Sequence, residues 1–441
     1  MTVSIDRRGV IAGGLAASAT LMPISEAFAK RRRKVSANDK IQVGLIGCNG
    51  MGWADLTAMS KVADVTPVAL CDVDANVLTK RGAELQTASG RAPALYDDYR
   101  RMLDDKSIDA VIIATPDHWH ALALTDAMSA GKDAYCEKPL GNSIAECRAM
   151  VAAKQRHKRV VQVGQWQRSN QHWADALAYV DSGAIGRVRK VKAWAYMGWM
   201  KNIAPKPDQA PPPGVDYDRW LGPAQQRPFN PNRFHFNWRW YWDYAGGLMT
   251  DWGVHLMDIA LLGMKAQVPN SVSSLGGHYG YPGSAMETPD TQTAIFDFGD
   301  YLVEWEHAVG ISRGPYSGRD HGVAFIGETG TLVVDRGQWY VSPEVSDGKA
   351  LSLEVPVTPI TDNGLDRHTA DFIACLKNRS RTPACPIEAA ANTAMVCQMG
   401  DIAFRTGRKV HWDATAGQFK DDPVANALIT PRYRAPYQLP V

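Results

Sequence analysis

Residues 41–52, which read IQVGLIGCNGMG, decide the fold of this 441-residue chain. The run from Ile41 to Ile46 is apolar and of strand length, and three glycines follow it within six residues. A helical pattern then starts at about Trp53. A strand, a glycine-rich turn and a helix in this order predict the first unit of a parallel sheet. A glycine-rich hexapeptide alone is a weak signal, so its meaning depends on the segments that follow.

Further short apolar runs alternate with helical patterns up to residue 163; they are 65–70, 110–114, 133–136 and 160–163. Continuous apolar strands separated by helices predict a parallel sheet that is covered on both faces. Residues 41–163 are therefore interpreted as a doubly wound α/β domain of the Rossmann type, with its ligand at the carboxyl ends of the strands.

The character of the chain changes after Gly164. Longer alternating strands predict a large, open-faced and mainly antiparallel sheet; they are 188–196, 291–298, 301–307 and 323–326. We interpret 164–412 as a second α/β domain, with helices near 366–379 and 387–406 that pack back on the first domain, and 413–441 as a tail. A Pro- and Trp-rich insertion, 198–245, is too aromatic for a disordered linker, and long ordered loops are usually functional.

The N-terminal residues have the pattern of an export signal. Arg7 and Arg8 precede a weakly apolar run, 10–22, and an Ala-Phe-Ala sequence ends at Ala29. This predicts a twin-arginine signal over 1–29, a basic linker over 30–40 and a periplasmic or otherwise exported protein. A membrane anchor or a cytosolic amphipathic leader is the alternative. No internal apolar run reaches the roughly 18 residues that a membrane span needs.

Charge and cysteine content exclude several classes of function. The formal net charge is +2, and five positive charges lie together in 30–34, which leaves about −3 for the rest of the exported chain. A chain with no basic field beyond one short segment is not expected to bind nucleic acid. The seven cysteines are odd in number and show no CxxC spacing, so neither a disulfide framework nor a zinc site is predicted.

The glycine-rich turn is the candidate cofactor cradle. It directly follows the first strand, where backbone N–H groups at a helix N-terminus can bind a pyrophosphate. Asp72 ends the second strand, where a carboxylate binds ribose hydroxyls and repels a 2′-phosphate, so NAD is favoured and NADP stays possible. Alternatively Asp72 only caps the next helix. Asn49 replaces the middle glycine of the usual motif, but asparagine tolerates left-handed geometry. The candidate cofactor residues in the turn are Gly47, Asn49, Gly50, Met51 and Gly52.

Two further motifs follow the ends of predicted parallel strands. The first, 114–120, contains Thr115, Pro116 and His120, and the second is Glu137-Lys138-Pro139. Because ligands of such sheets bind at carboxyl strand ends, all six residues are candidates for cofactor binding. A lysine there could also stabilise a developing alkoxide.

Asp251 and His255 are four residues apart, a spacing that on one helix puts both on the same face. Neutral His255 would suit a general base that removes a hydroxyl proton, with Asp251 orienting it or binding a neighbouring hydroxyl. Taken alone, such a pair is more often a surface ion pair or a cap. A metal held by Asp251, His255 and Asp258 is a further alternative, but no cysteine or second histidine joins them, and no metal is predicted.

Together these motifs and the late 327–332 segment, GETGTL, resemble the Gfo/Idh/MocA oxidoreductases, which include glucose–fructose oxidoreductase and inositol dehydrogenase. The resemblance runs over most of 41–412. It implies an NAD(P)-dependent enzyme with a tightly bound nicotinamide. It also implies that 164–412 is an open-faced sheet domain for substrate binding and oligomerisation, and that the protein is a homo-oligomer, dimer or tetramer. It also implies that Lys138, Asp251 and His255 are catalytic and that Glu137 and Pro139 flank the nicotinamide.

The aromatic insertion and its surroundings are the candidate sugar platform, since the C–H faces of pyranoses pack on indole rings. The candidate substrate-binding residues are Arg168, Trp238, Arg239 and Trp252. Ordinary core or subunit packing is the alternative for any one of the tryptophans.

The predicted function is reversible oxidation of a CH–OH group of a sugar or glycoside, in which His255 removes the hydroxyl proton and Lys138 stabilises the oxyanion. One alternative is a redox-neutral glycosidase or epimerase with a permanently bound NAD. A non-catalytic sugar-binding protein on the same fold is a second. Fold-level analogy alone does not separate these.

Overall fold

The computed structural model of the protein describes residues 40–353, 355 and 362–440. The predicted signal over 1–29 and the linker up to residue 39 lie outside the described residues.

The first domain is built on a six-stranded parallel sheet with the strand order β3-β2-β1-β4-β5-β6. This confirms the predicted doubly wound fold, and every residue of β4 and β5 is buried because helices cover both faces. The short edge strand β3 was missed, since only three residues pair there and two of them are exposed. The strands are β1 Ile41–Ile46, β2 Val65–Cys71, β3 Ala94–Tyr96, β4 Ala110–Ile113, β5 Asp133–Cys136 and β6 Val161–Val163, and the helices are α1 Gly50–Met59, α2 Ala75–Ser89, α3 Tyr99–Asp104, α4 His120–Ser129 and α5 Ile144–His157.

The second domain contains a nine-stranded sheet with the order β13-β12-β11-β7-β10-β9-β8-β16-β17. The prediction of a mainly antiparallel sheet is confirmed, with β7 and β10 as a parallel pair. Helices cover one face, so strands such as β9 alternate between buried and exposed residues. The strands are β7 Lys190–Met197, β8 Ser271–Gly277, β9 Thr291–Asp297, β10 Leu302–Val309, β11 His321–Ile326, β12 Gly330–Val334, β13 Trp339–Pro343, β16 Val410–Asp413 and β17 Gln418–Phe419, and a separate hairpin is formed by β14 Val345–Ser346 and β15 Lys349–Ala350.

The helices of the second half join the two domains. Phe372 and Ile373 of α11 (Gly364–Lys377) are buried in the same apolar cluster as Ile41 of β1. Ile387, the first residue of α12 (Ile387–Thr406), is buried with Cys136 of β5. Both helices therefore pack back on the first domain, as their apolar faces require. The remaining helices are α6 Gln171–Asp181, α7 Tyr217–Leu221, α8 Gly247–Asp251, α9 Gly253–Gly263, α10 Pro315–Gly318, α11 Gly364–Lys377, α12 Ile387–Thr406 and α13 Pro423–Asn426.

The predicted tail is part of the folded body. Its β17 extends the second sheet, so a boundary at 412 cuts through a sheet edge. Farther along, the Tyr433 hydroxyl donates a hydrogen bond to Glu146 Oε1 at 2.5 Å. Arg434 Nε donates to the Gly222 carbonyl at 2.6 Å, so the tail also contacts the aromatic insertion.

The aromatic insertion lies against the first domain. The backbone N–H of Ala75 donates to Gly214 O, and that of Asp216 donates to Val73 O, both at 2.9 Å. The indole Nε1 of Trp119 donates to Trp220 O at 3.1 Å. These contacts hold the insertion beside the β2–α2 turn. No helix in the described part of the chain has both the length and the apolarity to cross a membrane.

Candidate active site

A cavity of about 820 Å³ lies where the carboxyl ends of the first sheet meet the second domain. It is lined by residues from strand-end turns, from the insertion and from the start of α9. Its size is in the range of small-molecule and cofactor sites. The predicted site residues that it brings together are Gly47, Asn49, Gly50, Met51, Asp72, Thr115, Pro116, Glu137, Lys138, Trp238, Arg239, Asp251 and His255.

The glycine-rich turn has the backbone of an anion cradle. Gly47 has φ +87°, and a Cβ there would lie 2.5 Å from the Ala114 carbonyl oxygen, so only glycine fits. Asn49, by contrast, is extended, with φ −103° and ψ 170°, so its tolerance of left-handed geometry is not used. The second position of the turn with a positive φ is Gly50, at +49°.

The start of α1 is open to a ligand. The Asn49 side chain makes no capping hydrogen bond to the first turn, so the first N–H groups of the helix are not satisfied by a side-chain cap. A Cβ on Gly50 would meet nothing within 4 Å, which leaves space above the turn. The turn therefore fits a dinucleotide pyrophosphate.

Asp72 is anchored at the end of β2. Its Oδ2 accepts a hydrogen bond from Cys48 N at 2.8 Å, and its Oδ1 accepts one from Asp74 N at 3.0 Å. Burial raises its pKa, against the opposing effect of these hydrogen bonds. Asp74, and not Asp72, caps α2 by accepting from Asn76 N. Asp72 thus ties the glycine-rich turn to the strand end and still lines the cavity.

Lys138 and Asp251 form a buried ion pair on the cavity wall. Lys138 Nζ lies 2.8 Å from Asp251 Oδ1, and it also donates to the Asp251 carbonyl at 3.2 Å. Arg239 Nε lies 3.4 Å from the second carboxylate oxygen. Burial favours the neutral acid, but the two cations outweigh it and lower the pKa of Asp251 to about 2. The carboxylate is therefore ionised at neutral pH.

His255 is neutral. Burial comes first among the causes that lower its pKa well below 6.5, and the positive charges of Lys138 and Arg336 add to it. Its Nδ1 is buried and has no hydrogen-bond partner among the described residues. The ring lies edge-on between Trp166 and Trp252, with centroid distances of 6.3 Å to each. Aromatic packing, and not a carboxylate, therefore fixes its orientation.

The expected single helix through Asp251 and His255 is wrong. Helix α8 ends at Asp251 and α9 begins at Gly253, with Trp252 between them. The two side chains still reach the same cavity, because α9 restarts at once. The Asp251 carboxylate pairs with Lys138 and Arg239, so it does not orient His255 by a hydrogen bond as the spacing suggested.

Three more carboxyl groups are buried near Lys138. Burial raises the pKa of Glu137 to about 7 and raises those of Asp55 and Asp117 well above the usual range, although Lys138 opposes the shift in each case. Neither oxygen of Asp55 has a partner among the described residues, and neither does Glu137 Oε1. Sequence reasoning missed Asp55, whose carboxylate lies on the buried side of helix α1. A signal was present, because Asp55 follows Gly52 of the glycine-rich turn by three residues in an otherwise apolar helix.

Five predicted site residues do not line the cavity, namely Gly52, His120, Pro139, Arg168 and Trp252. Gly52 is buried inside α1. The His120 ring bridges the two strand-end motifs, with Nδ1 2.8 Å from Pro139 O and Nε2 2.9 Å from Thr115 O. His120 and Pro139 thus shape the wall from behind.

The prediction that Arg168 binds the substrate is wrong, because this residue does not line the cavity. Its guanidinium makes two hydrogen bonds of 2.7 Å to the Asp258 carboxylate, which also accepts from the Thr393 hydroxyl at 2.9 Å. A buried arginine must find a counter-charge, so this pair holds α9 in place and leaves Arg168 out of the cavity. Because its carboxylate is paired with Arg168, Asp258 is not available as a ligand in the alternative metal site with Asp251 and His255. Within the described residues no group of three His, Cys, Asp or Glu side chains could hold a metal ion.

Sequence reasoning also missed an arginine and a histidine on the cavity wall. Arg336 follows β12, and its guanidinium lies 4.8 Å from the Trp166 ring and 4.4 Å from the Trp252 ring. Burial lowers its pKa to about 10. His235 of the insertion lies 3.3 Å from Asp74 at the β2–α2 turn. No local motif surrounds either residue, so only their placement in the fold reveals them.

Comparison with known proteins identifies the two domains. Residues 41–165 match the NAD-binding Rossmann fold of the oxidoreductase family GFO_IDH_MocA, and residues 180–275 and 353–439 match the family's C-terminal alpha/beta domain. The chain belongs to the Gfo/Idh/MocA oxidoreductase family. Its first domain is therefore an NAD-binding Rossmann domain, as the resemblance predicted.

Proteins with sugar-related names are similar to the chain. Inositol 2-dehydrogenase 1 of Saccharopolyspora erythraea is 32% identical over 148 residues, which cover 33% of this chain and 43% of that protein. The match thus spans less than half of the relative's length. Aldose-aldose oxidoreductase from Caulobacter crescentus, crystallised with glycerol, has a TM-score of 0.63 at 20% identity and covers 85% of this chain and 100% of its own.

A levoglucosan dehydrogenase solved with NADH and levoglucosan also has a TM-score of 0.63, at 18% identity, and covers 85% of this chain and 99% of its own. At these identities the structural likeness shows the fold. Substrate and reaction therefore have to be argued from the residues of this chain.

Proposed function

We propose that this member of the Gfo/Idh/MocA family is an NAD-dependent oxidoreductase that acts on a CH–OH group of a sugar or glycoside. One observation carries the proposal: the Lys138–Asp251 ion pair and the neutral His255 line the same cavity as the glycine-rich turn. A cation, a neutral base and a dinucleotide cradle are the groups that alcohol oxidation requires.

The cofactor proposal rests on this chain's own groups. The N-terminus of α1 would hold the pyrophosphate, Asp72 the adenosine ribose, and Thr115 and Glu137 the nicotinamide end. Thr115 Oγ1 and Glu137 Oε1 are buried without a partner among the described residues, as is expected of atoms that await a ligand. A bound nicotinamide supplies the hydride acceptor or donor that no side chain can supply.

The position of the insertion supports tight retention of the cofactor as part of the proposal. It is held at the β2–α2 turn by backbone hydrogen bonds and by the His235–Asp74 contact at 3.3 Å, so it covers the adenosine end of the cavity. Release of a dinucleotide would require these contacts to open. Retention suits an enzyme that is exported from the compartment where NAD is made.

The side chains divide the proton chemistry between them. His255 is neutral because burial and two cations disfavour the imidazolium, so it can accept a hydroxyl proton at neutral pH. Lys138, fixed by Asp251, donates a hydrogen bond to the substrate oxygen and stabilises negative charge on it.

Aromatic and cationic side chains support a sugar as the substrate. Arg239 is stacked between the rings of Phe236 and Trp238, with its Cζ 4.2 Å and 4.6 Å from their centroids. Indole and phenyl faces next to guanidinium donors match the C–H faces and hydroxyls of a pyranose. The names of the inositol, aldose and levoglucosan enzymes are consistent with this class.

The deciding experiment denatures the purified protein, identifies any released nucleotide and screens sugars and glycosides with and without added NAD. We expect released NAD(H) and spectroscopic reduction of the bound nucleotide by at least one sugar. Glycoside cleavage or epimerisation without net NADH would instead establish the redox-neutral alternative. Protein without nucleotide and without turnover would indicate a non-catalytic sugar-binding protein.

Export and oligomerisation are further parts of the proposal. The arginine pair and the Ala-Phe-Ala sequence support twin-arginine export to the periplasm. Leu275, Ile295 and Leu302 lie on three neighbouring strands, and their pairing register puts them on one exposed face of the second sheet. Such a face supports a homo-oligomer, dimer or tetramer. Cell fractionation and light scattering after size exclusion test the two proposals.

A further inference from the structure

A second cavity of about 470 Å³ lies beside the first one, within the insertion and the second domain. Phe236 lines both cavities, so the outer cavity adjoins the catalytic cavity at this residue. The outer cavity also contains Trp199, Asn202, Lys206 and Asn237. Phe236 is shared with the proposed sugar site, whereas the other four residues have no role in the proposed chemistry.

The outer cavity exposes aromatic rings to solvent. Trp199 is 57% exposed and Phe236 is 53% exposed, although both are large apolar side chains. Their centroids lie 6.0 Å apart in an edge-on arrangement. Exposed aromatic side chains grouped at a cavity indicate a binding surface.

Polar groups accompany these rings. The side-chain amides of Asn202 and Asn237 make no hydrogen bond to other described residues, whereas the Asn232 amide at the same cavity donates to Ala204 O at 2.7 Å. The Lys206 ammonium also has no partner in the described part of the chain. Aromatic faces with free amide and ammonium donors fit a carbohydrate better than a purely apolar ligand.

Arg239 connects the outer cavity to the catalytic groups. Its guanidinium stacks on the Phe236 ring at 4.2 Å, and its Nε lies 3.4 Å from the Asp251 carboxylate. A sugar unit in the outer cavity would therefore be the direct neighbour of a unit in the catalytic cavity. The two cavities together have the layout of adjacent subsites.

We propose that the outer cavity binds a second sugar unit, so that the substrate is a disaccharide or longer glycoside and not a free monosaccharide. Trp199 and Phe236 provide the stacking faces, and Asn202 and Asn237 provide hydrogen bonds to its hydroxyls. This inference rests on the proposed sugar oxidation in the catalytic cavity. A second copy of the chain is a less suitable occupant, because it would cover the mouth next to the catalytic groups.

The test compares holoenzyme turnover of glucose with that of maltose and cellobiose, and of galactose with that of lactose. We expect at least one disaccharide to exceed its monosaccharide in kcat/KM by about tenfold, the value of one good stacking contact. Trp199→Ala removes this advantage and leaves the monosaccharide rate within about twofold, and Trp199→Phe retains it. Val424→Ala, a truncation of a 56% exposed side chain outside both cavities, is the matched control.

Quenching of tryptophan emission by the same sugars separates this inference from the proposed function. If a disaccharide quenches the emission, Trp199→Ala abolishes that quenching and no sugar is oxidised, the outer subsite is retained and the proposed reaction is rejected. Monosaccharide oxidation with no disaccharide preference and no quenching would reject the outer subsite alone. If the protein self-associates and Trp199→Ala disrupts that self-association, the surface binds a second copy of the chain and the inference is overturned.

Discussion

The ammonium nitrogen of Lys138 lies 2.8 Å from Oδ1 of Asp251, although the two residues are 113 positions apart in the chain. The pair joins the end of β5 to the end of α8, so it fixes one domain against the other at the cavity. Both side chains are largely buried, and a buried charge must be paired to be tolerated. The pair therefore determines where the lysine presents its positive charge.

Replacement of Lys138 by methionine keeps the length of the side chain and removes its charge. We expect kcat to fall by about 10²–10⁴, because the oxyanion loses its cation, and His255→Ala to cause a similar loss of the base. The content of bound nucleotide should stay that of the wild type in both variants. Steady-state kinetics and nucleotide release on denaturation measure the two effects.

The control for these variants is Lys154→Met, which removes a lysine that is paired with Glu388 at 2.7 Å on the surface. It should leave kcat unchanged. Turnover at the wild-type rate by Lys138→Met or His255→Ala would remove that residue from the mechanism.

The pH dependence of kcat/KM should report the low pKa of His255. Burial, Lys138 and Arg336 hold this pKa well below 6.5, so the imidazole stays neutral and active as the pH falls to about 6. Arg336→Gln removes a cation that disfavours the imidazolium, so the pKa of His255 rises. The variant should therefore lose activity at pH 6 relative to pH 8 more strongly than the wild type does.

The control is Arg187→Gln, which removes an exposed arginine paired with Glu328 at 3.2 Å. Its pH profile should coincide with that of the wild type. A fall in wild-type kcat/KM with a midpoint near pH 6.5, traced to protonation of His255, would contradict the assignment of a neutral, buried base.

Cofactor selectivity should depend on Asp72. A carboxylate that is fixed by two backbone N–H groups cannot move away from a 2′-phosphate, so it disfavours NADP. In Asp72→Asn the charge is lost, and we expect the ratio of NADPH to NADH dissociation constants to fall by about tenfold or more. Fluorescence titration of the nucleotide-free protein measures both constants. An unchanged ratio would place the selectivity elsewhere.

Folding stability should depend on pH through Glu146. Burial raises its pKa from 4.5 to about 7, so the folded state holds a proton that the unfolded state releases. The free energy of unfolding therefore decreases as the pH rises from about 4.5 to 7, by about 3 kcal/mol from this group. Glu146→Gln keeps an oxygen that can accept from Tyr433 and removes the titration.

Urea denaturation between pH 5 and pH 8 measures the difference in unfolding free energy between the variant and the wild type. The buried histidines contribute oppositely to the pH dependence, but they do so equally in both proteins and cancel in this difference. We expect the variant to gain stability relative to the wild type as the pH rises through this range. A difference that does not change with pH would show that Glu146 ionises normally in the folded protein.

Much of the fold was predictable because it is encoded locally. The continuous apolar runs predicted β1, β4 and β5 to within one residue, since strands buried on both faces need apolar side chains at most positions. The glycine-rich turn was predictable because Gly47 adopts a backbone conformation that no other residue adopts easily. Short and exposed elements such as β3 have no such signal.

The sequence alone established an NAD-binding α/β domain, a second sheet domain and the residues Lys138, Asp251 and His255 as candidates, because motif spacing and strand-end positions are properties of neighbouring residues. Only the tertiary structure decided that Asp251 pairs with Lys138 and not with His255, that Arg168 is occupied by Asp258, and that Arg336 reaches the cavity. The physical reason is that a buried charge selects its partner from whatever packing brings near it, and packing joins segments more than 80 residues apart.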